Sequence, residues 1–176
     1  MKGKLILLAL VVSACSHVNP ITMVRMMALN PMTADPGDIA AYYELPDGYQ
    51  VTRNTATFSI SGHRDKGGPE FLEEFVLVPT RHGDLLGYEL SAADRTRLLN
   101  LQEQVRVWKA DPTLDSGGSM FVGAKFCKTS DKVPDGGLVS MYIRLSADGS
   151  PMPLVRNVPI QDHVDPELLG SVPLCE

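Results

Sequence analysis

Short segments in which apolar and polar residues alternate constrain the fold of this chain more than any other feature. Ala56, Phe58 and Ile60 alternate with threonine and serine residues, and residues 139–145 repeat the pattern. Because successive side chains of a β-strand point to opposite faces, a period of two predicts strands with one buried face. We therefore expect antiparallel sheets that are covered on one side.

The remaining strands are predicted from shorter runs. Residues 71–78 are interpreted as one strand, and residues 80–84 as a five-residue hairpin loop that leads into a strand at residues 85–90. Further strands are expected near residues 120–126 and 154–158, and a single helical turn at residues 165–167.

One segment has the features of an amphipathic helix. Ser91 is placed to cap its N-terminus, with the carboxylate of Asp94 three residues on, and Pro112 is placed to end it. Four apolar residues fall within about 80° of one another at 100° per residue, so they form one stripe that faces a core. These residues are Leu98, Leu101, Val105 and Trp108.

The patterns together predict an α+β fold that is rich in β structure. We expect an antiparallel sheet or a two-sheet sandwich with one amphipathic helix at about residues 91–110. Residues 39–176 are interpreted as a single globular domain, because their number suffices for one proper core. Residues 15–38 contain three prolines and four methionines without strand or helix periodicity, and we interpret them as a tether.

The N-terminus has the layout of an export signal. Lys2 and Lys4 precede the apolar residues 5–12, which are followed by Ser13 and Ala14. The apolar run is far shorter than the ~20 residues that cross a bilayer. With Cys15 directly after the two small residues, this segment resembles a bacterial lipoprotein signal whose lipobox is residues 12–15. An ordinary cleaved signal with an incidental cysteine is the alternative.

The resemblance implies a cellular location for the protein. Residues 1–14 would be removed as the signal peptide, and a diacylglycerol would be attached to the thiol of Cys15, whose new amine would be acylated. Ser16, where an aspartate would retain a lipoprotein in the inner membrane, implies an outer-membrane location with the domain facing the periplasm. Several acyl chains make such an anchor effectively permanent.

Two cysteines remain once Cys15 is set aside. Cys127 and Cys175 are expected to form a disulfide, because an exported protein folds in an oxidising compartment. The closed loop would stabilise the fold by roughly 4 kcal/mol in the chain-entropy model. The alternative is a redox or metal-binding thiol pair, which no CxxC spacing supports.

Motifs for catalysis, metals or cofactors are not found. The formal net charge of −5 argues against a surface for nucleic acid, and no glycine-rich phosphate-binding motif occurs. His63, His82 and His163 each lie near an aspartate in predicted loops, but none has the spacing of a zinc site. We therefore assign no catalytic, metal-binding or cofactor-binding residue.

Three function classes follow, in order of preference. The first is a non-enzymatic envelope lipoprotein that binds a protein partner or supports an assembly, with His63, Arg64, Arg81 and His82 as possible partner contacts on exposed loops. The second is a binder of a small or lipidic ligand held between helix and sheet. The third is a hydrolase or metal-dependent enzyme whose site is assembled from distant loops. An apolar cavity of several hundred cubic ångströms would favour the second class.

Overall fold

The computed structural model describes residues 34–65, 69–163 and 172–176. The predicted signal, Cys15 and most of the predicted tether lie outside these residues, and so does the helical turn predicted at residues 165–167. The described residues form an α+β fold that is rich in antiparallel β structure and has one α-helix, as the sequence predicted. Its elements are β1 (Ala40–Glu44), β2 (Tyr49–Val51), β3 (Thr57–His63), β4 (Phe71–Val76), β5 (Val78–His82), β6 (Leu85–Glu89), α1 (Ala92–Ala110), β7 (Gly117–Gly123), β8 (Phe126–Lys128), β9 (Leu138–Arg144), β10 (Met152–Pro159) and a 3-10 helix (Ile160–His163).

The strands form two larger sheets and one small one. A five-stranded sheet has the order β10-β9-β1-β6-β5, a three-stranded sheet has the order β4-β3-β7, and β2 pairs with β8. Neighbouring named strands are all antiparallel. Phe58 and Phe75 from the three-stranded sheet share one core with Ala41 and Val139 from the five-stranded sheet. The two sheets therefore contribute to a single hydrophobic core.

The predicted alternation in β3 is confirmed. Ala56, Phe58 and Ile60 are buried, whereas the serine and threonine residues between them are partly exposed. The inward face of β3 also lies close to the helix, because a Cβ atom at Gly62 would lie 3.0 Å from a methyl carbon of Val105. This face of the three-stranded sheet is thus covered by α1.

The helix begins and ends as predicted. The Ser91 hydroxyl accepts a hydrogen bond from the backbone N–H of Asp94 at 3.1 Å, which caps the first turn. Leu98, Val105 and Trp108 are buried, and Leu101 is partly buried against the same core. The apolar stripe of α1 is therefore used in folding.

The helix also holds the last residues of the predicted tether. Gln102 is buried, and its side-chain amide donates a hydrogen bond to the carbonyl of Ala34 at 2.9 Å. Pro36 is fully buried two residues later. Residues 34–38 thus pack with the domain that we had expected to begin at residue 39.

Two predictions about the region between β4 and β6 are wrong. Residues 71–78 are not one strand, because the chain leaves the three-stranded sheet at Leu77 and enters the five-stranded sheet at Val78. The loop expected at residues 80–84 is a two-residue turn, since β5 continues to His82. Gly83 has a φ of +58°, and this first turn position is where a type II′ hairpin takes glycine. His82 and Leu85 therefore remain paired directly across the turn.

The disulfide predicted between Cys127 and Cys175 is present in the structure, with the two Cα atoms 4.9 Å apart. The C-terminal residues run beside β8, where Lys128 N–H donates to the carbonyl of Pro173 and Cys175 N–H donates to the carbonyl of Lys128. The chain terminus is therefore attached to β8 by one covalent bond and two backbone hydrogen bonds.

Candidate functional site

An apolar cavity of about 460 Å³ lies between the two larger sheets. It is bounded by β1, β9 and β10 of the five-stranded sheet and by β7 and its continuation into β8. We call it the inter-sheet cavity. Its lining residues are Tyr43, Thr55, Thr57, Phe121, Val122, Gly123, Ala124, Lys125, Phe126, Val139, Met141 and Val155.

One wall of the inter-sheet cavity is a row of side chains on the five-stranded sheet. Met141 of β9 is directly opposite Tyr43 of β1 on one side and Val155 of β10 on the other. Directly opposite residues in neighbouring strands project from the same face. These three side chains therefore form a continuous apolar surface that reaches the β10 edge of the sheet.

The opposite side of the cavity is formed at the other sheet's edge. β7 is an outer strand of the three-stranded sheet, and the chain passes from it through Ala124 and Lys125 into β8. Phe121 is 67% exposed although it lines the cavity, whereas Phe126 is buried. A Cβ atom at Gly123 would lie 2.7 Å from the Phe121 ring, so glycine leaves room for the ring beside the backbone. Phe121 therefore lies at the solvent-facing rim.

Polar groups at the cavity are few, and one of them has a structural role. The Thr55 hydroxyl donates to the carbonyl of Thr52 at 2.8 Å and accepts from the backbone N–H of Lys125 at 3.1 Å. Neither the ammonium of Lys125 nor the hydroxyl of Thr57 has a hydrogen-bond or ion-pair partner in the part of the chain that the structure describes. These two groups are available to a ligand.

Tyr43 contributes its aromatic ring, and not its hydroxyl group, to the wall of the cavity. The ring packs edge-on against Phe126 and Tyr88, with centroid distances of 5.8 and 6.0 Å. Its hydroxyl is shielded from solvent and has no hydrogen-bond partner among the described residues. Burial, followed by the nearby Tyr88, raises the pKa of Tyr43 well above its usual value, so the hydroxyl stays neutral. The cavity wall here is apolar and uncharged.

The possible partner contacts lie elsewhere and do not form one site. His63 and Arg64 lie where β3 ends, whereas Arg81 and His82 lie at the far end of β5. The expectation that His63, Arg81 and His82 are in loops is wrong, because His63 and His82 are each the last residue of a strand and Arg81 precedes His82 in β5. The His82 ring contacts Tyr42 at a centroid distance of 5.8 Å.

Arg64 is held by two contacts. Its guanidinium forms an ion pair with Glu70 and lies 5.9 Å from the centre of the Trp108 ring. The Arg64 side chain therefore covers part of the helix stripe, whereas Arg81 has no such contact with a described residue. Within the described residues, the acidic, histidine and cysteine side chains do not gather in a group of three that could hold a metal ion.

The residues that line the inter-sheet cavity were not identified from the sequence. The alternation of β7 places Met120 and Val122 on one face, which leaves Phe121 in an outward position. An aromatic residue at an outward position was the available signal. The cavity itself depends on the distance between two sheet edges, for which no local pattern exists. It lies between two sheets, whereas our ligand hypothesis had expected a site between helix and sheet.

No protein-family model, curated protein or solved structure matches this chain. Among the helices that the structure describes, none combines the length and the apolar character needed to span a bilayer.

Proposed function

We propose that this domain binds an apolar, lipid-like ligand in the inter-sheet cavity. The observation that carries the proposal is the cavity, whose volume of about 460 Å³ falls in the range typical of small-molecule sites, roughly 300–1,000 Å³. Its walls consist mainly of aliphatic and aromatic side chains, which offer a ligand burial of apolar surface. The exposed ring of Phe121 extends this surface to the rim.

The rest of the domain supports a ligand-binding role for this cavity. The cavity is open to solvent at the rim that Phe121 forms, so a ligand can reach its apolar walls from outside the domain. The helix stripe, in contrast, is packed: Leu98 and Val105 are completely buried. The cavity is lined in part by β7 and β10, which are outer strands of their sheets, so a ligand can enter there without unfolding the helix.

We further propose that the domain performs this role at the cell envelope, as an outer-membrane lipoprotein that faces the periplasm. The proposal rests on the signal-like residues 1–14, on Cys15 at their end and on the Cys127–Cys175 disulfide, which suits an oxidising compartment. A lipid anchor would keep the inter-sheet cavity within reach of membrane lipids.

Binding of a neutral hydrophobic dye tests the cavity. N-phenyl-1-naphthylamine should bind the wild-type domain with increased fluorescence, and Val155→Phe should weaken binding at least tenfold because the larger ring occupies the cavity. The matched control is Val78→Phe, the same substitution at the opposite edge of the same sheet, outside the cavity. Equal binding by both variants, or no binding by the wild-type protein, would overturn the proposal. A thermal melt of each variant shows that it is folded.

A protein partner remains a second candidate, and one observation favours it. Leu72 and Val76 are exposed on β4, the other outer strand of the three-stranded sheet. Crosslinking in intact envelopes should then capture a partner that Leu72→Asp or the charge reversal Arg81→Glu removes, with the unfolding midpoint unchanged. If both variants keep the same crosslinked species, these residues do not contact a partner. Arg64→Glu is a poorer probe, since Arg64 also covers Trp108.

A further inference from the structure

We infer that the ligand of the inter-sheet cavity is an anionic amphiphile, whose chain occupies the cavity and whose acidic headgroup lies at Lys125. The inference rests on the proposed function, because it concerns the same cavity. It assigns to Lys125 and Thr57 the recognition of a carboxylate or phosphate group. It assigns to the apolar wall around Met141 the binding of the chain.

The inference that the ligand is anionic depends on the sign of the charge at the cavity. Among the described residues, Lys125 is the one charged residue in the lining, and none of the described carboxylates lines the cavity. The whole chain carries a formal charge of −5, so the rim has the opposite sign to the protein as a whole. An anionic headgroup would be attracted to this point, whereas a cationic headgroup would find no partner there.

Lys125 also differs from at least six of the twelve lysine and arginine residues that the structure describes. Arg95, Arg97 and Lys128, among others, each form an ion pair with a carboxylate. Lys128 lies only three residues from Lys125, yet its ammonium is 2.9 Å from the carboxylate of Asp135. Lys125 has no such partner among the described residues. Its charge is therefore not neutralised by any of the described carboxylates.

The backbone at Lys125 is fixed even though its side chain is not paired. Its N–H donates to the Thr55 hydroxyl at 3.1 Å, and its carbonyl accepts from the N–H of Thr52 at 2.9 Å. These bonds hold the backbone of the residue at the cavity rim before a ligand arrives, so that only its side chain has to be ordered on binding. The unpartnered hydroxyl of Thr57 lies in the same lining and can donate a second hydrogen bond to the headgroup.

Displacement of the neutral dye by three ligands with the same ten-carbon chain tests this assignment. Decanoate, decyl phosphate and decan-1-ol differ in their headgroup, and the assay is performed at pH 8 and below the micellar concentration of each. We expect at least one of the two anionic ligands to bind about tenfold more tightly than the alcohol, which corresponds to about 1.4 kcal/mol. The preference should shrink as salt is added, because Lys125 is exposed.

Three variants assign the preference to a residue. Lys125→Gln should bring the anionic ligands to the affinity of the alcohol, while Lys125→Arg should retain the preference. Lys132→Gln, at an exposed position outside the cavity, is the control for net charge. Equal affinity of all three ligands for the wild-type protein, or a preference that survives Lys125→Gln, would overturn the inference while dye binding still supports the proposed function. Failure of the dye itself to bind would overturn both.

Discussion

Two buried tyrosines differ in the contacts of their hydroxyl groups. Tyr49 is 7% exposed, and its hydroxyl donates to the carbonyl of Pro134 at 2.7 Å. Tyr43 is 5% exposed, and its hydroxyl has no partner among the described residues. A buried polar group without a hydrogen bond costs about 1–3 kcal/mol, whereas a satisfied one contributes about 1 kcal/mol. The same substitution should therefore have opposite effects at these two positions.

We predict that Tyr43→Phe raises the free energy of unfolding by about 1 kcal/mol, because it removes an unsatisfied group and keeps the ring. Tyr49→Phe should lower it by about 1 kcal/mol, because the carbonyl of Pro134 loses its donor. Urea unfolding of both variants measures the two changes. Equal losses of stability would show that the Tyr43 hydroxyl has a partner in solution. Dye binding by Tyr43→Phe should be unchanged, since the apolar wall remains.

At the scale of single elements, α1 contacts the three-stranded sheet at several points, one of which is an aromatic pair. The Trp108 ring lies 5.8 Å from the ring of Phe71 at the start of β4, and Trp108 is 8% exposed. We predict that Trp108→Ala lowers the free energy of unfolding by about 3–5 kcal/mol, since it removes a large buried side chain and leaves a cavity. Val107→Ala, at a neighbouring position that is 58% exposed, should change it by less than about 0.5 kcal/mol.

Chemical denaturation of the two helix variants provides the measurement, and dye binding provides a second readout. Trp108 does not line the inter-sheet cavity, so a folded Trp108→Ala protein should still bind the dye. If Trp108→Ala leaves stability intact and removes binding, the helix rather than the cavity is the functional surface.

Elements whose signals are local were predictable from the sequence, and those set by distant pairing were not. The helix was predicted because the Ser91 cap and the apolar stripe lie within the helix itself. The passage of the chain from the three-stranded to the five-stranded sheet at Leu77 was not predicted, because it depends on the strands with which β4 and β5 pair. The sequence of β5 resembled that of a loop because it contains polar residues. These residues are tolerated because β5 lies at a sheet edge, where side chains remain exposed. The inter-sheet cavity depends on both sheets and was not predictable.

At the scale of the whole molecule, the disulfide links β8 to the chain terminus. Cys127 and Cys175 are 48 residues apart in sequence, and closing such a loop restricts the unfolded chain by about 4 kcal/mol in the chain-entropy model. We predict that reduction, or the variant Cys127→Ser/Cys175→Ser, lowers the unfolding midpoint by an amount equivalent to a few kcal/mol. Thermal melts with and without reductant measure it, and the double variant is the control that reductant should not affect. An unchanged wild-type midpoint after verified reduction would contradict the prediction.

The lipid anchor that we propose at Cys15 and the inter-sheet cavity should be separable, because they would lie in different parts of the chain. The proposed lipidation of Cys15 would depend on residues 12–15, whereas the described residues that line the inter-sheet cavity run from Tyr43 to Val155. We predict that Cys15→Ser abolishes labelling by a fatty-acid analogue and releases the domain from the membrane fraction. The released domain should bind N-phenyl-1-naphthylamine as tightly as detergent-extracted wild-type protein. Membrane retention of the unlabelled variant would exclude lipid anchoring at Cys15, and loss of dye binding would show that the anchor contributes to the cavity.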